Sequence, residues 1–362
     1  MRVIDMHCDT IDRLLGQKDQ GNPGALRKNE AHIDLLRMKE SGYMLQNFAL
    51  FVDLGGEEDP WDRVCRLYDH YRQELERNSD LIAPVLGCSD IAANDASGRM
   101  SSLLTVEEGG VCGGDPEKLR RLYDMGVRML TLTWNYPNEL GYPNLNTEKR
   151  REARRFSKAL RELEPGSKEY LETQSLAQSA YDQMSHTPET NRGLTEKGRQ
   201  FVEEMEALGM IPDVSHLSDA GFYQVLESTK KPFAASHSNA RAVCPSVRNL
   251  TDHMIRKLAD RGGVMGLNFC ADFLEEAPVG VRNPGNLEAF VRHARHIVNV
   301  GGLEVLGLGS DFDGIDTNDA LPGAQSMNVL WEGLHKAGFS EDALDQIFWK
   351  NVLRLYKDTL KD

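Results

Sequence analysis

Ten histidines occur in the 362-residue chain, and three of them, His7, His216 and His237, close short apolar runs beside carboxylates. Asp9 stands two positions after His7, and Glu107 ends the apolar run LLTVE. Imidazole nitrogens and carboxylate oxygens together suit zinc and similar divalent ions. His-x-Asp is by itself a weak motif. Its weight comes from Glu107, His216 and His237, which stand at the same ends of three other runs. The chemistry such a group offers is hydrolysis assisted by metal ions. Cys8 lies between His7 and Asp9, but strand alternation turns it to the opposite face, where it reads as a packing residue.

Those five side chains need elements that bring them together. Short apolar runs alternate with amphipathic helical patterns from end to end. The candidate strands are 2–8, 44–52, 102–107, 127–134, 209–215, 232–237, 263–270 and 304–310. A run at 81–87 reads either as a ninth strand or as part of an insertion. Helix punctuation separates the strands: Asp115-Pro116 with Gly126, Ser218 before 219–228, Thr251 before 252–261, Ser340 before the last helix, and Gly209 after 195–208. Repeated strand–helix units imply a parallel sheet, and eight of them make a closed (β/α)8 TIM barrel. No GxGxxG follows the first strand, which removes a dinucleotide-binding reading.

Strand periodicity then gives each run a phase. In LLTVE, Leu104 and Val106 share one face, and Thr105 and Glu107 the other. In the last strand, Leu306 and Leu308 oppose Gly307, Gly309 and Asp311. In the first, Val3, Asp5, His7 and Asp9 oppose Ile4 and Met6. The expectation is that the apolar sets pack on the helices and the polar sets face into the barrel. Chain length fits a single barrel domain over 1–362. Residues 137–193 break the rhythm and read as a long insertion after the fourth strand, helical around 148–163 and 167–184. The insertion either covers the catalytic face, where loops after strands lie, or is a solvated excursion.

The composition is that of a soluble globular protein, 40% hydrophobic and 27% charged. Aspartate and glutamate total 56 against 42 lysine and arginine, a formal charge of −14, which disfavours nucleic acid and anionic membranes as partners. The opening MRVIDMHCD lacks the apolar core of a signal peptide, and no run is long enough to span a membrane. The six cysteines are scattered without a CxxC pair, as expected of free thiols in a reducing cytoplasm.

Taken as a set, VIDMHCDT, LLTVEEGG, LRRLYDMGVRMLTLT, LTEKGRQFVEEMEALGMIPDVSHLS, PFAASHSNARAVCPSVRN, GGVMGLNF, GLGSDFDG and WKNVLRLY resemble the membrane (renal) dipeptidase family, peptidase family M19 of the amidohydrolase-type barrels. They occur in family order and span nearly the whole chain. The resemblance implies that His7 and Asp9 bind one zinc ion, that His216 and His237 bind a second, and that a glutamate bridges both. Glu107 and Glu108 compete for the bridge, and Glu107 has the inward phase. Arg248, in SVRN, matches the arginine that holds the dipeptide's carboxylate. Asp311, in SDFD, matches the aspartate near the free amino group and the metal-bound water, and Asp313 reads as a supporting loop residue.

The mechanism the resemblance implies is attack on the peptide carbonyl by a hydroxide shared between two cations, with Asp311 passing a proton to the leaving amine. Two Zn2+ are the implied cofactors, and the ligand types also suit Mn2+ or Co2+. Dipeptides are the implied substrates, and a homodimer the implied assembly. The sequence departs from the family at one place. Trp134 follows LTLT where the family commonly has a histidine that binds substrate. Indole can donate a hydrogen bond but carries no charge, and the neighbouring Asn135 is the expected substitute. This departure keeps a second activity in view, an amidase or lactonase on the same binuclear site.

Overall fold

A computed structural model describes residues 1–277, 281–316 and 318–362. Among these residues nine strands run in the order β1 (Val3–Asp5), β2 (Tyr43–Phe51), β3 (Ile82–Pro84), β4 (Met100–Glu107), β5 (Val127–Thr131), β6 (Ile211–Asp213), β7 (Ala234–Ala235), β8 (Val264–Leu267) and β9 (Leu306–Leu308). All pair in parallel, and β1, β2, β4, β5, β6, β7, β8 and β9 close into a ring of eight. The protein is therefore a (β/α)8 barrel. The run near 81–87 is a ninth strand: β3 pairs with Met100–Ser102 at the start of β4, and β5 takes over from Leu104 onward.

Two apolar layers hold the ring. Outward residues such as Leu104, Val106, Leu130, Leu306 and Leu308 pack against helix residues including Leu14, Leu119, Val202 and Leu258. Inside, Ile4, Met6, Met129, Ile211 and Val264 meet Val352, Leu355 and Tyr356 of the helix Asn351–Thr359, which plugs the base. The Tyr356 hydroxyl donates to Asn47 Oδ1 at 2.8 Å, so the plug satisfies its one polar atom. Side-chain caps sit where the sequence places them: Asp115, Ser218, Thr251 and Ser340 accept from backbone N–H groups in the first turns, and Gly209 ends its helix at φ 84°.

The phases of β4 and β9 are as expected, but that of β1 is reversed. Val3 faces the helices, whereas Ile4 and Met6 face the barrel interior. The cause lies in Asp5. Its Oδ1 accepts from the backbone N–H of His7 at 3.3 Å and of Ser310 at 2.8 Å, and its Oδ2 from Ser310 Oγ at 2.6 Å. This turn ends the strand early and breaks the alternation, so His7 and Asp9 reach the mouth from a loop. Asp213 ends β6 in the same manner, accepting from the N–H groups of Ser215 and Ser236.

Between β5 and β6 the chain forms a hairpin of the helices Thr147–Leu160 and Lys168–Ser185. It is tied back to the barrel by Asn144, whose Nδ2 donates to Asp219 Oδ1 and to the Val247 carbonyl. All six cysteines are free, and no helix among the described residues is long and apolar enough to cross a membrane.

Candidate metal centre

At the C-terminal ends of the strands lies a cavity of about 710 Å³, with Asp9, Glu107, Trp134, Asn135, Arg150, His216, Arg248 and Asp311 in its wall. His7 and His237 are buried behind it, their rings stacked with centroids 3.9 Å apart. Glu107 stands between the two halves. Its Oε2 is 3.4 Å from His7 Nε2, and its Oε1 is 2.9 Å from His216 Nε2 and 3.5 Å from His237 Nε2. His7 Nε2 is also 3.4 Å from Asp9 Oδ2 and 3.9 Å from Asp311 Oδ1. Two donor groups follow, His7–Asp9–Glu107 and Glu107–His216–His237, sharing Glu107; His7, His237 and Asp311 make a third.

The surrounding hydrogen bonds decide which ring nitrogens are free. Ser236 Oγ donates to Asp213 Oδ2 at 2.7 Å, so it accepts from His237 Nδ1–H at 2.7 Å. Asn135 Oδ1 accepts from His216 Nδ1–H at 3.0 Å. Both Nε2 atoms therefore carry lone pairs, and they face each other 3.0 Å apart with a carboxylate oxygen alongside. Among the described residues, buried His7 Nε2 and Asp9 Oδ1 have no hydrogen-bond partner. Asp9 occupies the N-cap of the helix Thr10–Asp19 yet makes no side-chain cap bond, because its carboxylate is turned toward His7. Electron-rich atoms converging without protons between them form a donor set suited to divalent cations.

The electrostatics carry the same signature. Burial pushes Asp9 up to about 8 and Asp311 up to about 6, with the Glu107 charge adding to both. Burial opposes ionisation of Glu107 as well, but His7, His216 and His237 outweigh it and hold the carboxyl well below the usual range. Burial, then the Arg248 charge, brings His216 down to about 4. Burial also disfavours a charged His7, yet Asp9 and Glu107 overcome it and push its pKa far up.

Among the described residues three non-glycine residues have positive φ, and all lie at this mouth: Glu108 at 111°, Asp311 at 63° and Asp313 at 70°. Such conformations cost free energy and persist where the surroundings enforce them. Glu108 turns away from the cluster. Its carboxylate accepts from the N–H groups of Gly110 and Trp134 and from Asn138 Nδ2. Asp313 accepts from Thr10 Oγ1 and the His32 N–H, a loop-holding role. Asp311 faces the cluster with Oδ1, while Asn268 Nδ2 donates to its Oδ2 at 2.9 Å. Arg248 is buried, its Nη2 2.9 Å from His216 Nε2 and its Nη1 without a partner. Trp134 packs edge-on to Phe51, centroids 4.8 Å apart. Cys8 is buried away from the cluster, its Sγ against the Asn47 carbonyl. Sequence reasoning missed Asn268 and Ser236, since an amide in GLNF and a serine before a histidine carry no periodic signal.

A family model described as membrane dipeptidase (peptidase family M19) matches residues 1–161 and 169–361. The chain belongs to that family. Membership makes this M19 chain a hydrolase of the metallopeptidase kind. A Klebsiella pneumoniae protein described as an uncharacterized protein in the pqqA 5' region is 30% identical over 301 residues, 83% of this chain and 97% of that one. An uncharacterized dipeptidase of Schizosaccharomyces pombe is 31% identical over 263 residues, 72% of this chain; the match spans 54% of that longer protein. In fold, the M19 chain superposes on a metallopeptidase from Rhodobacter sphaeroides, liganded with a phosphinate mimic of L-Ala-D-Ala, with a TM-score of 0.81, 24% identity and 99% of each chain covered.

Proposed function

We propose that this chain hydrolyses the peptide bond of dipeptides, using two zinc ions held by His7, Asp9, His216 and His237, with Glu107 shared between them. The carrying observation is the division of the Glu107 carboxylate: one oxygen faces His7, and the other faces His216 and His237. When bound, such a pair acidifies the attacking water and polarises the scissile carbonyl; manganese or cobalt could serve in place of zinc.

The chain's own residues supply the rest. Arg248 offers an unpartnered Nη1–H to the substrate's terminal carboxylate, a charge-assisted contact in a buried setting. Asp311 faces the cluster with Oδ1 as a carboxylate at neutral pH, and can take a proton from the attacking water and pass it to the leaving amine. Asn268 keeps that carboxylate from rotating away. Glu108 fixes the Trp134 backbone, and Asn135 orients His216. The helical hairpin of 137–193 forms part of the cavity's cover through Arg150. Six free thiols fit a reducing compartment, and a cytoplasmic location is part of the proposal.

The test is metal analysis of protein purified without chelator, together with a panel of dipeptides, N-acyl amino acids, amides and lactones. About two ions per chain and release of free amino acids from dipeptides are expected. Turnover of only amides or lactones would transfer the site to the second activity, on which Trp134 in the wall bears directly. Metal content near zero with no turnover overturns the reading.

A further inference from the structure

Besides Arg248, the cavity wall carries two guanidinium groups, Arg282, which pairs with Asp319, and Arg150. Arg150, on the helix Thr147–Leu160, lies with its Cζ 4.7 Å over the Trp134 ring. Its Nη1 is buried without a partner, and among the described residues its guanidinium makes no ion pair and no side-chain hydrogen bond. Stacking on indole fixes the plane of an arginine while leaving its edge N–H groups free for an oxyanion. Asp53 and Tyr136 attract it electrostatically without hydrogen-bonding it, and Asp53 Oδ1 accepts from the Gly55 N–H at 2.8 Å. A half-buried arginine that the protein itself leaves unsatisfied is unfavourable unless a ligand completes it.

A second observation points the same way. The helix Thr147–Leu160 carries six basic side chains against two acidic ones, in a chain whose net charge is −14. Arg150, Arg154, Lys158 and Arg161 line a groove of about 430 Å³, and Arg150 lines the catalytic cavity too. A run of positive charge therefore leads from the surface to Arg150, in a wall that otherwise carries more carboxylates than guanidinium groups, so the attraction for small anions is local to this helix.

Resting on the dipeptidase reading, we propose that the preferred substrates are dipeptides bearing an acidic side chain, whose second carboxylate is taken by Arg150 while Arg248 holds the terminal one. The Trp134 ring spaces the two cations, lying between Arg150 and His216, the partner of Arg248. The substrate is thus recognised by its two carboxylates.

The test compares kcat/KM for matched pairs, Asp against Asn and Glu against Gln, at each position of an alanine-containing dipeptide. Wild type is expected to favour the acid at one position by about tenfold or more, the range of a charge-assisted hydrogen bond. That preference should shrink as ionic strength rises, a readout that needs no variant. Arg150→Gln should bring the acid-to-amide ratio to within about twofold, and Arg150→Glu should invert it toward lysine-containing substrates. Wild type that cleaves neutral dipeptides with an acid-to-amide ratio below two overturns this inference and leaves the dipeptidase reading standing. Failure to cleave any dipeptide overturns that reading itself. An acid preference that survives Arg150→Gln intact removes Arg150 from recognition.

Discussion

Asn135 and His216 are joined Oδ1 to Nδ1 at 3.0 Å, and this one contact sets which nitrogen of His216 faces Glu107. The residue expected from sequence to touch substrate also aims a ring proposed to bind metal. Outer partners of this kind are worth about 10–100-fold in metal affinity. Asn135→Ala should weaken zinc binding by that factor in a chelator competition. Undiminished affinity would show that His216 needs no such support.

Glu107 and Glu108 are adjacent in sequence and opposite in duty. Glu107→Gln should strip metal from the protein and lower kcat/KM by more than about 100-fold, beyond what an outer partner contributes. Glu108→Gln should retain its full metal content. Its cost should appear in stability, about 1–3 kcal/mol, because an amide NH2 must then face a backbone N–H. If Glu108→Gln alone abolishes metal uptake, the shared ligand has been misassigned.

Arg248 should act on binding of the substrate's free carboxylate. Arg248→Met should reduce kcat/KM for a dipeptide by about 10–100-fold, the worth of a charge-assisted hydrogen bond. The C-terminal amide of the same dipeptide should start low and change little. Equal losses on both substrates would place Arg248 outside carboxylate recognition.

A pH effect arises away from the metal centre. Buried His293 accepts from the Ala240 N–H at Nδ1 and faces the Leu274 carbonyl with Nε2, so it must stay neutral. Burial brings its pKa from 6.5 to about 4. The stability this gives is present above 6.5 and is lost as pH falls toward 4, because the unfolded chain takes up a proton that the fold refuses. Between pH 7 and pH 5 the loss is about 2 kcal/mol. Urea unfolding at both values should show it, and His293→Gln should flatten the difference.

Much of this was readable in the sequence where alternation is regular. LLTVE lies within a strand paired on both sides, so counting by twos turns Glu107 inward correctly. VIDMHCD defeated the same count, since Asp5 spends its carboxylate on backbone N–H groups and ends the strand after three residues. The register of β1 against β9 depends on Ser310, a partner far along the chain that no local pattern reveals. Arg150 was hidden for another reason. In a charged helix each arginine looks solvated, and only packing against Trp134 distinguishes one from its neighbours.

The bond between Asp5 and Ser310 spans 305 residues. β1 has a neighbour on only one side until β9 has been synthesised and folded against it. During translation, therefore, His7 and Asp9 emerge early and wait, and Asp311 joins them only when the ring shuts. The five proposed ligands are all present in sequence by His237, but the ring that gathers them is not closed until β9 pairs with β1. In the closed ring the cluster opens to the outside through the cavity whose wall carries Trp134 and Arg150.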